Sequence, residues 1–352
     1  MAKNKIMIYA YTAHNLGDDL FIENLCTRYP HVDFYLYAPK KYETTFKHLN
    51  NLFIFTNDTM LKKLLQRIRP LPKTAIYIGG SLFIEQISWN KQWNIISLAR
   101  KRHRDFFIIG ANFGPHTTET FYYTYETFFT TCKDVCFRDD ASYRLFEHLP
   151  QVRVANDIVF TSRIKPVRLT TPRIVISVIY PSIRESLVSY DESYFTAIAK
   201  LAEQSADAGY EVVLMAFCKI ERDDDAIQRI MEKIDPTKKN SIKFFHYETN
   251  IKDALSIIET AEIVIATRFH AMILGVLYRK KVFAILYSDK MRTVIEENKM
   301  KIGYCDIQNI GTLQPEKLFQ YATKANIALE TIQTNAEKQF SILDTYIKEK
   351  PS

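Results

Sequence analysis

Glycine is scarce in this chain: there are 9 in 352 residues, against roughly 7% in average proteins. A chain this poor in glycine keeps it where the backbone needs it. Five of the nine fall in three short segments: Gly17, Gly79-Gly80, and Gly110 with Gly114. The five cysteines, Cys26, Cys132, Cys136, Cys218 and Cys305, are odd in number and scattered. That excludes a disulfide scaffold and predicts reduced thiols in the cytoplasm. Cys132 and Cys136 alone do not make a four-ligand zinc site, so no metal is expected. No run of about 18 uninterrupted apolar residues exists to span a membrane. The start, Met1-Ala2-Lys3-Asn4-Lys5, leads into a short alternating segment and not into a signal-peptide core. The dinucleotide fingerprint G-x-G-x-x-G is missing. There is no RNA-binding signature either, despite 21 tyrosines and 23 phenylalanines.

What is present is an ordinary globular composition, 47% hydrophobic and 25% charged. The net charge of +7 is compatible with anionic substrates or an anionic membrane surface, and nucleic acid is not expected as a partner. Apolar runs alternate with helical patterns. The first set of runs is Ile6–Tyr11, Phe34–Ala38, Leu52–Phe55, Ala75–Gly79, Phe106–Gly110 and Val135–Arg138. Between them lie amphipathic stretches such as Asp19–Arg28, Thr59–Ile68, Trp89–Arg100 and Glu119–Cys132. The second set is Ile174–Ile179, Glu211–Phe217, Ile242–His246, Glu262–Ala266 and Val282–Leu286, with helical patterns at Glu192–Ala208, Asp224–Ile234, Ile251–Thr260 and Phe269–Tyr278. Strand-then-helix repetition calls for parallel sheets covered on both faces. The pattern predicts two Rossmann-like α/β domains facing a cleft, residues 1–160 and 174–310, joined by a proline-bearing linker at 161–173. A helical segment at 311–352 follows, with one long helix expected over Pro315–Lys348.

In open parallel sheets, ligands bind beyond the carboxyl ends of the strands. Candidate residues are therefore sought there. After the first strand, Asn15-Leu16-Gly17-Asp18-Asp19 opens a helix, and Asp18 or Asp19 either caps it or points into the cleft. Gly79-Gly80-Ser81 is either a ligand-approach loop or a tight strand-to-helix turn. In Gly110-Ala111-Asn112-Phe113-Gly114-Pro115-His116, His116 is either a site residue or a solvated loop histidine. Arg138 and Asp139 are read as an internal ion pair with a helix cap, or as cleft wall. Arg184 follows the strand that opens the second domain. The sharpest segment runs from Glu262 to Gly275. There Thr267, Arg268 and His270 stand where a strand passes directly into a helix. Free amides, a guanidinium and an imidazole at one junction suit a phosphate or carboxylate, with His270 as general acid or base. Two basic stretches remain. Lys62, Lys63, Arg67 and Arg69 form an amphipathic pattern, and Arg100-Lys101-Arg102-His103-Arg104 follows later. Each is either a solvated face or a contact with anionic lipid.

Taken in order, these segments resemble the polysaccharide pyruvyl transferase family. The resemblance rests on Asn15-Leu16-Gly17-Asp18, Gly79-Gly80-Ser81, Gly110–Pro115, Arg138-Asp139-Asp140-Ala141-Ser142, Asp157-Ile158-Val159-Phe160, Thr267-Arg268-Phe269-His270 and Tyr287-Ser288-Asp289-Lys290. It implies a GT-B-like pair of domains and transfer of a pyruvyl group from phosphoenolpyruvate to hydroxyls of a sugar. The product is a ketal on a cell-surface polysaccharide or its lipid-linked precursor. Phosphoenolpyruvate is then the donor substrate, and no cofactor is needed. The resemblance assigns donor binding and catalysis to Arg268 and His270 and extends the donor site to Arg184. Two other readings of the same chain are a nucleotide-sugar glycosyltransferase and a non-catalytic scaffold of polysaccharide assembly.

Overall fold

The structure, a computed structural model, describes residues 4–56, 71–164, 171–313, 322–324 and 328–349. Two compact units divide the chain. The first takes residues 1–12, 18–162 and 330–352, and the second takes 13–17 and 163–329. The basic stretch with Lys62, Lys63, Arg67 and Arg69 lies outside the described residues, as do 165–170 of the expected linker. The domain boundaries differ from expectation at two places. Residues 13–17 group with the second unit, and 330–352 complete the first instead of forming a segment of their own.

Among the described residues the first unit has seven parallel strands: β1 (Asn4–Tyr9), β2 (Val32–Tyr37), β3 (Leu52–Phe55), β4 (Thr74–Ile78), β5 (Asp105–Ala111), β6 (Asp134–Phe137) and β7 (Val152–Val154). Their order is β3-β2-β1-β4-β5-β6-β7. The helices are α1 (Leu16–Arg28), which begins in residues of the second unit, then α2 (Tyr42–Thr45), α3 (Trp89–Arg102), α4 (Glu119–Thr130) and α5 (Asp140–Phe146). β4 is buried at every position, as a central strand covered on both faces must be. The Thr118 side chain accepts from the Phe121 amide and starts α4. Asp139 does the same for α5 through Ser142. The abundant aromatics have a structural use: Phe83, Phe113, Tyr125, Phe129 and Phe146 are buried in one cluster, many of them edge to face.

The second unit repeats the plan with β8 (Arg173–Ser177), β9 (Glu211–Ala216), β10 (Ile242–His246), β11 (Ile263–Ala266), β12 (Lys281–Leu286) and β13 (Gly303–Asp306), in the order β10-β9-β8-β11-β12-β13. Its helices are α6 (Asp191–Asp207), α7 (Asp223–Lys233), α8 (Ile251–Thr260), α9 (Phe269–Leu277) and α10 (Asp289–Glu297). Counted within each unit, the first six strands run 3-2-1-4-5-6, the doubly wound order. That order places a switch point between β1 and β4 in one unit and between β8 and β11 in the other. The expected helix over Pro315–Lys348 is interrupted. β14 (Thr323–Lys324) pairs antiparallel with β12, and α11 (Leu329–Glu337) and α12 (Ser341–Glu349) flank a tight turn at Lys338–Phe340.

The terminal helices are tied into the first unit by specific polar contacts. Arg28 pairs with Glu337 and with Asp344, the latter at 2.7 Å. Gln339 is fully buried. It accepts from the Gly110 amide at 3.0 Å and donates to the carbonyls of Phe137, Ala155 and Asn156.

Candidate functional site

The second unit gathers polar groups at the carboxyl ends of β8, β9, β11 and β12. Arg268 ends the β11 segment and leads into α9. Its guanidinium is not the open cation expected from the sequence. Nε donates to Asp223 at 3.0 Å, Nη2 donates to the same carboxylate, and Nη1 donates to Glu221. The physical reason is burial: at 6% exposure a guanidinium requires carboxylates around it. Asp223 opens α7 and also accepts the amides of Phe217 and Cys218 at 2.9 and 3.0 Å. Desolvation pushes its carboxyl up to about 6 against the pull of Arg268. Burial acts on Glu221 in the same sense, but Arg268, Arg184 and Lys290 prevail and hold it at about 2.

The junction amides are also engaged. Those of Thr267 and Arg268 both donate to the Ser177 hydroxyl at 3.1 Å. Ser177 ends β8, the strand beside β11. The Thr267 side chain is fully buried and bonds the Tyr194 hydroxyl at 3.0 Å. The Thr267 hydroxyl thus ties the junction to α6.

Two further cations lie next to it. Arg184 stands 4.3 Å from the centroid of the Tyr287 ring, and Lys290 stands 5.5 Å from it. Arg184 reaches Glu221 at 3.4 Å through Nη2. Its Nη1 is buried and, among the described residues, has no hydrogen-bond partner; the same holds for the Ser288 hydroxyl. No carboxylate among the described residues pairs with Lys290. Burial alone would raise the Tyr287 hydroxyl, but Lys290, Arg184 and Arg268 outweigh it and bring it down to about 8. Two cations, with a guanidinium N–H and a hydroxyl unused among the described residues, are donors of the kind an anion accepts from.

Residues 15–17 complete this edge. Leu16 N donates to Phe217 O at 3.1 Å, and Asn15 donates to Glu221 at 3.3 Å. Asn15 also accepts the Gly17 amide at 3.0 Å, so Asn15 and not Asp18 or Asp19 caps α1. Asp19 is instead buried and accepts from the Tyr42 hydroxyl at 3.0 Å. His270 packs on Gly17 so closely that a Cβ at residue 17 would lie 1.7 Å from its Nδ1. Two segments singled out separately in the sequence thus meet, and the glycine is what admits the imidazole.

The first unit collects the other candidates around its own switch point. A Cβ on Gly80 would fall 2.5 Å from Nη1 of Arg138. Arg138 pairs with Asp157 at 2.8 Å, both side chains buried, and donates to Asn112 at 2.7 Å. The expected partner, Asp139, is used as the cap of α5. Asp18 lies against Gly79, its Oδ1 3.6 Å from where a Cβ would stand. Ser81 is exposed and points to Asn112 at 3.4 Å. His116 stacks on Phe121 and Tyr122 and lies edge-on to Phe113, the residue after Asn112.

Glu221 and Asp223 were not foreseen. Their signal was an acidic run, Glu221-Arg222-Asp223-Asp224-Asp225, directly after a strand. Among the described residues no group of three or more His, Cys, Asp or Glu is placed to hold a metal ion.

The model of one protein family, described as polysaccharide pyruvyl transferase, matches residues 15–289. No protein of curated function matches the chain by sequence. Solved structures share the fold at low identity. Anabaena Alr3699/HepE, in complex with UDP and glucose, is 13% identical with a TM-score of 0.60, over 99% of this chain and 100% of that one. The Methanocaldococcus jannaschii UDP-GlcNAc 2-epimerase, in complex with UDP-GlcNAc and UDP, is 9% identical with a TM-score of 0.61, over 98% and 100%. Staphylococcus aureus MnaA, in a structure with UDP, is 10% identical with a TM-score of 0.61, over 100% and 99%. These likenesses establish a GT-B-like fold.

Proposed function

The chain belongs to the polysaccharide pyruvyl transferase family, and on that premise we propose that it moves the pyruvyl group of phosphoenolpyruvate onto two hydroxyls of a sugar. The acceptor is a cell-surface polysaccharide or its lipid-linked precursor. The observation that carries this reading is the pair of cations, Arg184 and Lys290, on the Tyr287 ring, with a Ser288 hydroxyl that has no partner among the described residues and with Lys290 5.6 Å from the ring of Phe269, the residue before His270. Phosphoenolpyruvate carries a phosphate and a carboxylate, and two cationic contacts answer them.

The chemistry needs one proton donor and a cradle for the leaving group. His270 delivers a proton to the methylene carbon, leaving C2 electron-poor. The first sugar hydroxyl adds to C2, and its proton returns to His270. Phosphate departs with its C–O bonding pair toward Arg184 and Lys290. The second hydroxyl closes the ketal and gives its proton to the phosphate. Arg268 acts through Glu221, which Arg184 also contacts, so it positions the cradle and does not itself touch donor. Asn15 steadies the same carboxylate.

Incubation with phosphoenolpyruvate and oligosaccharide or lipid-linked acceptors tests this. The expected result is release of phosphate and an acceptor heavier by one pyruvyl ketal. Acceptor glycosylation from a UDP-sugar, with none from phosphoenolpyruvate, would replace the proposal with a glycosyltransferase. Failure to bind any donor would point to a scaffold.

A further inference from the structure

The face of α3 turned to solvent is unlike an ordinary polar helix face. Its exposed stripe runs Lys91, Ile95, Leu98 and Arg102, spaced i, i+4, i+7 and i+11, so the four side chains align. Ile95 is 66% exposed and Leu98 58%, and Ile87, in the turn just before the helix, is fully exposed. The stretch Gln86–Arg104 contains five lysines and arginines and no Asp or Glu. Two of those five are occupied: Arg100 donates to the carbonyls of Thr131 and His103, and Arg104 pairs with Asp105 at 2.9 Å. Lys91, Lys101 and Arg102 have no carboxylate partner among the described residues.

We infer that this face of α3 lies on an anionic lipid bilayer. An interfacial helix lays apolar side chains into the headgroup boundary and sets basic ones around them. Here the apolar residues stand in the middle of the stripe and the cations toward its ends. The stems of Lys91, Lys101 and Arg102 are long enough to keep their charges among headgroups while Ile87, Ile95 and Leu98 enter. Ile87, Ile95 and Leu98 stand out exposed along this face. A fluid bilayer accepts such side chains without a complementary shape, which a folded protein partner would need. No helix among the described residues is long and apolar enough to cross a membrane, so the contact is one of lying on the surface. The inference is independent of which donor the second unit takes.

Both tryptophans of the chain, Trp89 and Trp93, sit on α3, which makes the helix its own probe. The full-length protein is mixed with vesicles of phosphatidylcholine containing about one-quarter phosphatidylglycerol, or of phosphatidylcholine alone, and sedimented at low and high salt. Binding is expected to the anionic vesicles, weakening with salt, and tryptophan emission is expected to be quenched by brominated acyl chains. The triple variant K91Q/K101Q/R102Q should lower binding roughly a hundredfold. The double variant I95S/L98S should lower it about tenfold or more with its charges intact. All five positions are exposed, so thermal unfolding of both variants should match the parent. Equal binding to both vesicle types, or none, overturns the inference. So does full retention of binding by I95S/L98S, which would mean adsorption by charge alone. Concentration-dependent self-association abolished by I95S/L98S would instead make the face a contact between copies of the chain.

Discussion

On the proposed function, single residues of the second unit separate into those that face the donor and those that hold the others in place. Replacing Arg184 or Lys290 by alanine removes one charge-assisted contact, worth roughly 1.5–3 kcal/mol. Calorimetric titration should then show phosphoenolpyruvate binding weakened by about one to two orders of magnitude. His270→Ala is expected to keep donor affinity and to lose roughly 10²–10⁴-fold in turnover. Arg268→Ala should behave differently, because it leaves Asp223 and Glu221 buried without their cation. The expected loss is about 3–5 kcal/mol of stability, seen as a lower denaturant midpoint before any kinetic measurement. Tyr287 gives the pH signature. Its hydroxyl, near 8 in the folded chain and about 10 when unfolded, ionises first in the native state. The stabilisation it provides is complete above about pH 10 and is lost as the pH falls through 8. Ultraviolet phenolate absorbance should show one early titration that Tyr287→Phe abolishes; its persistence in that variant would refute the assignment.

At the level of strands and helices, much was legible because a buried parallel strand is a short continuous apolar run. Ile263–Ala266 and Thr74–Ile78 declared themselves in that way. β7 did not, since three residues carry no period. The passage from β11 to α9 was legible as a strand running directly into a helix, whereas the partners of Arg268 were not. They come from 45 and 47 positions away, and no local pattern reports a contact at that range. The meeting of Gly17 with His270 was hidden for the same reason, although the scarcity of glycine had marked Gly17 as needed. That contact is testable. Gly17→Ala puts a methyl where the imidazole stands, and should cut turnover far more than it weakens donor binding. The terminal helices were seen as helices but not as part of the first sheet's cover, because Gln339 reads as an ordinary polar residue. Its side chain serves four backbone groups, three of them in fully buried bonds. Gln339→Ala should cost about 2–3 kcal/mol, measurable by denaturant unfolding.

Across the whole molecule the chain passes between its two units four times, at 12/13, 17/18, 162/163 and 329/330. Neither unit is one continuous piece. A fragment of residues 163–329 has all the strands of the second sheet but lacks residues 13–17, which pair with Cys218 and pack on His270. It should fold with reduced stability, and a synthetic peptide spanning residues 10–20 should restore part of the loss. Tyr287 absorbance in that fragment reports whether the cation cluster survives.

The return of residues 330–352 to the first unit also orders events during synthesis. On the ribosome the first sheet is translated early, yet the two terminal helices that complete its cover and the glutamine that satisfies its backbone are made only after the entire second unit has been read out. The later unit can finish first, while the earlier one waits with apolar surface uncovered. During that interval nascent chains are open to capture by chaperones or by one another. Slowed elongation through 163–329 would lengthen the wait without altering a single residue.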